Sequence, residues 1–170
     1  MPATPAAPRS RLRVAVTRRL PEAVETRMSE LFDVALRDDD RKMSSDQLVS
    51  LMQDADVLVP TVTDQITAAM LARAGERLKL IANFGAGIDH IDVMSARQRG
   101  VLVSNTPGVV TEDTADMTLA LILAVTRKIP EGLAEMQAGR WQGWSPTAHL
   151  GGRAGAGRPG HPGMGATGPA

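Results

Sequence analysis

Short apolar runs alternate with longer stretches whose apolar residues recur at helical spacing. Residues 12–16, LRVAV, read as a strand. Pro21 then falls in the first turn of a helix, where a missing N–H costs nothing. Ala23, Val24, Met28 and Leu31 carry that helix forward. Residues 32–36 read as a second strand, and Ser45 is placed to cap a helix bearing Leu48, Leu51 and Met52. Val57, Leu58 and Val59 form a third strand, followed by a helix with Ile66, Met70 and Leu71. Leu78, Leu80, Ile81 and Ala82 form a fourth, apolar enough for burial on both faces. Ile88 to Gln98 is expected to be helical, with Gly100 at its C-terminal stop. Val101, Leu102 and Val103 make a fifth strand, ended by Asn105-Thr106-Pro107-Gly108. Strands alternating with helices predict an α/β fold on a parallel sheet with right-handed crossovers.

Beyond residue 108 the pattern changes. Residues 111–127 read as one long helix, with Thr111 as its cap and Glu112 and Asp113 at the positive end of the dipole. Met117, Leu119, Ala120, Leu121, Ile122, Leu123, Ala124 and Val125 cover every face. A helix apolar all round is expected to be buried on all sides, against a second domain or a partner subunit. Pro130 opens a further helix, from Glu131 to Ala138, stopped by Gly139. Trp141 and Trp144 are expected to pack on a domain surface rather than to stack on a cofactor.

The parallel sheet directs attention to two loops. Residues 60–64 and 83–87 both follow strands, so both lie at the carboxyl edge of the sheet, where open α/β sheets bind ligands. Gly85-Ala86-Gly87 can turn backbone N–H groups outward to meet a small carboxylate, or can be a plain tight turn. Thr61 and Thr63 can hydrogen-bond a ligand there, or can cap the next helix.

Composition narrows the classes. The 170 residues suffice for one domain and part of another. Lys+Arg and Asp+Glu are equal at 19, so no basic surface argues for nucleic acid. The absence of Cys excludes disulfides, thiolate catalysis and Cys-ligated zinc. His90, His149 and His161 are scattered without metal-ligand spacing. The longest apolar run, residues 119–125, is too short to span a bilayer. The N-terminal MPATPAAPRSRLR lacks the apolar stretch of a signal peptide, reads as a disordered leader and leaves a cytoplasmic protein as the default. The run from Arg37 to Lys42 reads as a solvated charge cluster without chemistry.

The last twenty residues are rich in Gly and Pro, and GxGxxG occurs at 155–160 and at 163–168. A dinucleotide fingerprint must follow a strand and open a helix. Pro159 and Pro162 are incompatible with a central strand before Gly163.

Taken together, NFGAGIDHID, GVLVSNTPGVVTEDTADMTLALIL and GRWQGWSP, at this spacing, resemble the D-isomer-specific 2-hydroxyacid dehydrogenases, with a flavour closest to glyoxylate/hydroxypyruvate reductases. The resemblance covers roughly residues 12–150. It implies a flavodoxin-like substrate domain over 12–108, after a leader over 1–11. Interdomain helices and the start of a Rossmann NAD(P) domain follow over 109–150, and a corrupted phosphate-loop region over 151–170. It implies that the backbone N–H groups of Ala86 and Gly87 hold the carboxylate of a small 2-oxo acid, with Thr61 and Val62 in the substrate set. The family's catalytic Arg, Glu and His would lie downstream of the residues present. The phosphate loop for NAD or NADP would be Gly163, Gly165, Ala166, Thr167 and Gly168. With its strand disrupted, no cofactor is expected to bind this chain. His90 is read as structural, and His149 and His161 as loop residues. The intact protein is expected to be a homodimer that reduces glyoxylate or hydroxypyruvate to the D-2-hydroxy acid, without nucleic-acid or membrane partners. An inert truncated fragment and an NAD-sensing corepressor are the alternatives.

Overall fold

The computed structural model describes residues 11–152. Residues 1–10 of the leader, His161 and the candidate phosphate-loop residues Gly163, Gly165, Ala166, Thr167 and Gly168 lie outside the described residues. The elements run β1 (Arg13–Val16), α1 (Glu22–Leu31), β2 (Asp33–Ala35), α2 (Ser45–Asp54), β3 (Val57–Val59), α3 (Ala68–Ala72), β4 (Leu80–Ala82), α4 (Val93–Gln98), β5 (Leu102–Ser104), α5 (Thr111–Thr126) and α6 (Ile129–Gln137). They divide into two compact units, with the boundary between Pro107 and Gly108.

In the first unit the five strands form one sheet in the order β2-β1-β3-β4-β5, and every neighbouring pair is parallel. This is the flavodoxin-like order, whose switch point lies between the first and third strands. The expected α/β class and strand count are therefore borne out. Side chains on the central strands alternate between two cores, as a period of two demands. Ala15, Leu58 and Ile81 enter a large cluster with Leu48, Val49 and Met52 of α2, Met70 and Leu71 of α3, and Ala96 of α4. Val14, Val16 and Val59 point into a smaller cluster, against which Val24 and Met28 of α1 pack. Full burial of a side chain such as Leu58 or Ile81 contributes about 1.5–3 kcal/mol, so the larger cluster dominates the stability of this unit.

Three helix starts differ from the sequence expectation, each for a local reason. The cap of α2 is Ser44, not Ser45. Its Oγ accepts from Gln47 N at 3.3 Å while its own N–H donates to Gln47 Oε1 at 2.8 Å, a reciprocal capping box. The third helix is capped by Thr67, so neither Thr61 nor Thr63 has that role, and Ile66 lies outside the helix in a parallel bridge to Ile91. That same bridge keeps residues 88–92 out of α4. Asp92 N donates to Ile66 O at 2.9 Å, and Asp92 Oδ1 caps Ser95 N at 2.9 Å. Gly100, at φ +72°, ends α4 as expected. Val101 N bonds Ala96 O and Gly100 N bonds Arg97 O, the paired closure of a Schellman motif.

The second unit comprises α5, α6 and the segment after them. Thr111 is the first residue of α5 rather than its cap. The preceding Val110 makes no side-chain cap bond, and Thr114 Oγ1 instead donates back to Val110 O at 2.6 Å. The expected all-round burial of this helix is not met: Leu119, Leu121 and Val125 are 57%, 58% and 72% exposed. Within its own unit the helix has one neighbouring element, α6, which can cover only one side. Trp141 and Trp144 are also exposed rather than packed, since no described element of this unit lies over them. His149 is in a loop, as expected, and its Nε2 meets Glu135 Oε2. No helix among the described residues is long and apolar enough to cross a membrane, and none of their acidic and His side chains cluster as a metal site.

Candidate functional site

At the carboxyl edge of the sheet the loops after β3 and β4 run side by side. Thr61 pairs with Phe84 and Ile66 with Ile91 in parallel bridges that continue the β3–β4 pairing past the strand ends. Phe84 N donates to Pro60 O at 2.8 Å, and Ile66 N to His90 O at 2.8 Å. The four sequence-predicted substrate residues that lie among the described residues, Thr61, Val62, Ala86 and Gly87, are thereby brought to one edge. Val62 stands directly over the glycine turn, because a Cβ added to Gly85 would lie 2.7 Å from Val62 Cγ1.

The glycine turn is held through its carbonyls. Asn83 Nδ2 donates to Gly85 O at 3.0 Å and to Gly87 O at 2.9 Å. Thr106 N donates to Gly85 O at 3.1 Å, and Asn105 Nδ2 to Ala86 O at 2.7 Å. Three successive carbonyls are thus engaged within the protein. A trans peptide is planar, with its N–H opposed to its C=O. Fixing the carbonyls of residues 85–87 therefore directs the N–H groups of Ala86, Gly87 and Ile88 to the other side. Those three N–H groups meet no acceptor among the described residues. An unpaired run of backbone donors at a loop is an anion-binding concavity. Neither Gly85 nor Gly87 has a positive φ, so the turn does not depend on the left-handed region at these glycines. At 85 an added Cβ would press on Val62 Cγ1; at 87 it would meet nothing nearer than Asp89 Oδ2, at 3.8 Å.

The neighbouring loop is held the opposite way. Asp64 is fully buried, and its Oδ2 accepts from Thr17 Oγ1 at 2.6 Å, Thr61 N at 2.9 Å and Thr61 Oγ1 at 3.2 Å. Thr61 is therefore committed to bracing its own loop. Thr63 Oγ1 lies 3.1 Å from Thr61 Oγ1 and accepts from Arg18 Nη1 at 3.2 Å. Arg18 Nε also donates to Asp40 Oδ1 at 2.8 Å, and that bond holds the Asp40 carboxyl below the usual carboxylate range. The acidic run after β2 is thus partly tied down rather than merely solvated. Arg18, Arg19, Leu20, Asp40, Thr61, Val62, Thr63 and Phe84 line an open depression of about 310 Å³ beside the glycine turn.

Sequence reasoning missed Asn83, Asn105, Asp64 and Arg18. Asn83 carried a signal, a polar residue directly at the end of an apolar strand, but its partners are settled only by the loop's path. The arrangement as a whole is a set of unpaired backbone donors beside an open depression, on the edge where parallel sheets bind ligands.

Known proteins resemble this chain in sequence and in fold. The family model for the D-isomer specific 2-hydroxyacid dehydrogenase catalytic domain matches residues 14–167. The chain belongs to that family. A glyoxylate reductase of Korarchaeum cryptofilum is 38% identical over 140 residues, covering 82% of this chain and 42% of that protein. The solved TT0316 protein of Thermus thermophilus superposes with a TM-score of 0.76 at 42% identity, over 82% of this chain and 45% of that one. The NADPH-dependent glyoxylate/hydroxypyruvate reductase of Sinorhizobium meliloti, solved with NADP and malonate, gives a TM-score of 0.64 at 29% identity, over 78% of this chain and 39% of that one. The chain thus spans less than half the length of these relatives.

Proposed function

We propose that this chain supplies the substrate-holding part of an NAD(P)H-dependent reductase of small 2-oxo acids, glyoxylate or hydroxypyruvate among them. The observation that carries the reading is the row of three unpaired N–H groups at Ala86, Gly87 and Ile88, fixed by the engaged carbonyls behind them. A carboxylate has two oxygens able to accept from adjacent backbone donors, and each charged hydrogen bond contributes about 1.5–3 kcal/mol. The donors are in place before ligand arrives, so binding costs little reordering of the loop. Thr61 serves the site by holding its loop, and Val62 by standing over Gly85 and limiting the space beside the carboxylate. The nicotinamide cofactor, when bound, supplies the hydride that reduces the 2-oxo carbon. In the intact protein the phosphate loop would fall at Gly163, Gly165, Ala166, Thr167 and Gly168; with Pro159 and Pro162 ahead of it, no cofactor is expected to bind this chain. The names and complexes of the Korarchaeum and Sinorhizobium relatives support the substrate class.

The test is titration of the 170-residue chain with glyoxylate, followed by amide NMR. The expected result is saturable shifts at the amides of Ala86, Gly87 and Ile88, with a dissociation constant in the range of about 1–10 mM. Glyoxylamide, the uncharged amide of the same acid, should produce none. Shifts elsewhere without any at residues 86–88 would overturn the assignment.

A further inference from the structure

We propose that Asn83 and His90 are positioning residues for the carboxylate: a buried imidazole sets the orientation of a buried amide, and the amide sets the loop's N–H groups. The inference rests on the reading of the glycine turn as a carboxylate site. Asn83 is 3% exposed and His90 8% exposed, so neither is solvated in exchange for its partners. The carbonyl oxygens of Gly85 and Gly87 lie 3.0 and 2.9 Å from the same end of the Asn83 amide. Only a nitrogen, with its two hydrogens, satisfies both; an oxygen there would face two oxygens. The Asn83 oxygen must then face His90 Nε2, at 3.0 Å. That oxygen accepts and cannot donate, so the ring must carry its proton on Nε2.

The imidazole thus selects one of the two amide orientations. A ring protonated only on Nδ1 would present a bare Nε2 and favour the reversed amide, which would repel the carbonyls of the turn. His90 is itself fixed from the β3 side, because its carbonyl accepts from Ile66 N beside the Ile66–Ile91 bridge. A chain of contacts therefore runs from the bridge, through the ring and the amide, to the three exposed donors. A buried polar pair costs desolvation that an apolar pair of the same size avoids. What the apolar pair lacks is any way to hold two carbonyls, two residues apart, in a turn without regular hydrogen bonding.

The experiment uses the 170-residue chain and three measurements. Ring nitrogen NMR should show His90 with its proton on Nε2, and the Asn83 side-chain amide protons should exchange slowly with solvent. His90→Leu should weaken glyoxylate binding at residues 86–88 by about tenfold or more, the loss expected for one charged hydrogen bond made poorly. His90→Gln, whose amide nitrogen can donate where Nε2 stood, should restore most of that loss. A merely space-filling role predicts the reverse ranking, with Leu tolerated and Gln not. Binding by folded His90→Leu as tight as in the unsubstituted chain overturns the proposal, as does a ring protonated only on Nδ1. Should His90→Leu not fold, the ring tautomer and the Asn83 exchange rate still decide the matter. If the unsubstituted chain shows no glyoxylate shifts at all, the carboxylate reading itself has failed; shifts that survive in His90→Leu refute the positioning role alone.

Discussion

The loops after β3 and β4 are adjacent, parallel and similar in length, yet they are braced by groups of opposite character. Asp64, an acceptor, draws in the donors of its loop: Thr61 N, Thr61 Oγ1 and the Thr17 hydroxyl from β1's end. Asn83, through its nitrogen, draws in the acceptors of the other loop, the carbonyls of Gly85 and Gly87. A buried carboxylate therefore uses up N–H and O–H groups, while a buried amide releases N–H groups for an outside partner. The choice of one polar residue at each strand end decides which loop can receive an anion.

Reversing that choice should have the largest effect. Asn83→Asp places an acceptor against two carbonyls in a site that is nearly closed to water. Leaving a buried group unsatisfied costs about 1–3 kcal/mol, and more when it is charged. Urea denaturation should show a loss at the upper end of that range, and glyoxylate shifts at residues 86–88 should vanish. An Asn83→Asp chain of undiminished stability would show that the Asn83 nitrogen does not hold the turn.

Asp64→Asn changes the other brace and should cost less, about 1 kcal/mol, because it exchanges carboxylate hydrogen bonds for amide ones at the same positions. Its Oδ1 has no partner, so the new nitrogen at that position would also lack one. Glyoxylate binding should persist, since the donors at residues 86–88 do not pass through Asp64. Loss of binding on Asp64→Asn, with the fold intact, would show that the two braces are not independent.

Two alanine substitutions sharpen the roles within the glycine turn. Gly85→Ala presses a methyl group to 2.7 Å from Val62 Cγ1 and 3.3 Å from Asn83 Nδ2. Overpacking of this kind costs about 1–3 kcal/mol, and the exposed Val62 side chain can yield, so the low end is expected. Gly87→Ala makes only an ordinary contact with Asp89 Oδ2, without a positive φ, and should change stability by less than about 0.5 kcal/mol. Equal destabilisation by the two, measured by thermal unfolding, would contradict the placement of Val62 over residue 85.

The smallest effect concerns a third carboxylate brace, at the opposite end of β3. Asp56 accepts from Arg77 through both oxygens, at 3.2 and 3.1 Å, and from Arg13 N at 2.8 Å. The Arg77 guanidinium, and then the Arg13 N–H, hold its carboxyl below the usual carboxylate range. The folded state therefore favours the ionised form. Its contribution is complete above the unfolded value of about 3.9 and is lost as the pH falls through the lower folded value. Denaturation midpoints between pH 5 and pH 2 should flatten in Asp56→Asn; an unchanged pH slope would remove this brace from the account.

Periodicity alone made the scaffold legible. Apolar runs of three to five residues marked all five strands, and their alternation with helices implied parallel pairing. Gly100 announced the end of α4 because a left-handed residue closes a helix best when it lacks a Cβ. The family motifs pointed to Ala86 and Gly87 and to the loop at 61 and 62. Local rules failed where a longer-range bond won. Ile66 fits helical spacing, but pairing with Ile91 removed both segments from their helices. Ser45 and Ser44 are equivalent as caps until Gln47 closes the box with one of them. The apolar pattern of α5 is plain in the sequence, whereas what covers it is not a property of the helix itself.

What the sequence determined by itself was the order and class of elements, because that depends on the spacing of apolar side chains and on the backbone limits of Gly and Pro. What only the tertiary structure decided was the direction of the hydrogen-bonding groups at the strand ends. Asn83 follows β4 in any reading, but its amide faces the carbonyls of residues 85 and 87 only because His90 arrives beside its oxygen. That approach is set by the Ile66–Ile91 bridge, a pairing between residues twenty-five positions apart. Hydrogen-bond direction depends on three-dimensional approach, whereas apolar burial depends mainly on which face a residue occupies, and only the latter is written in local spacing.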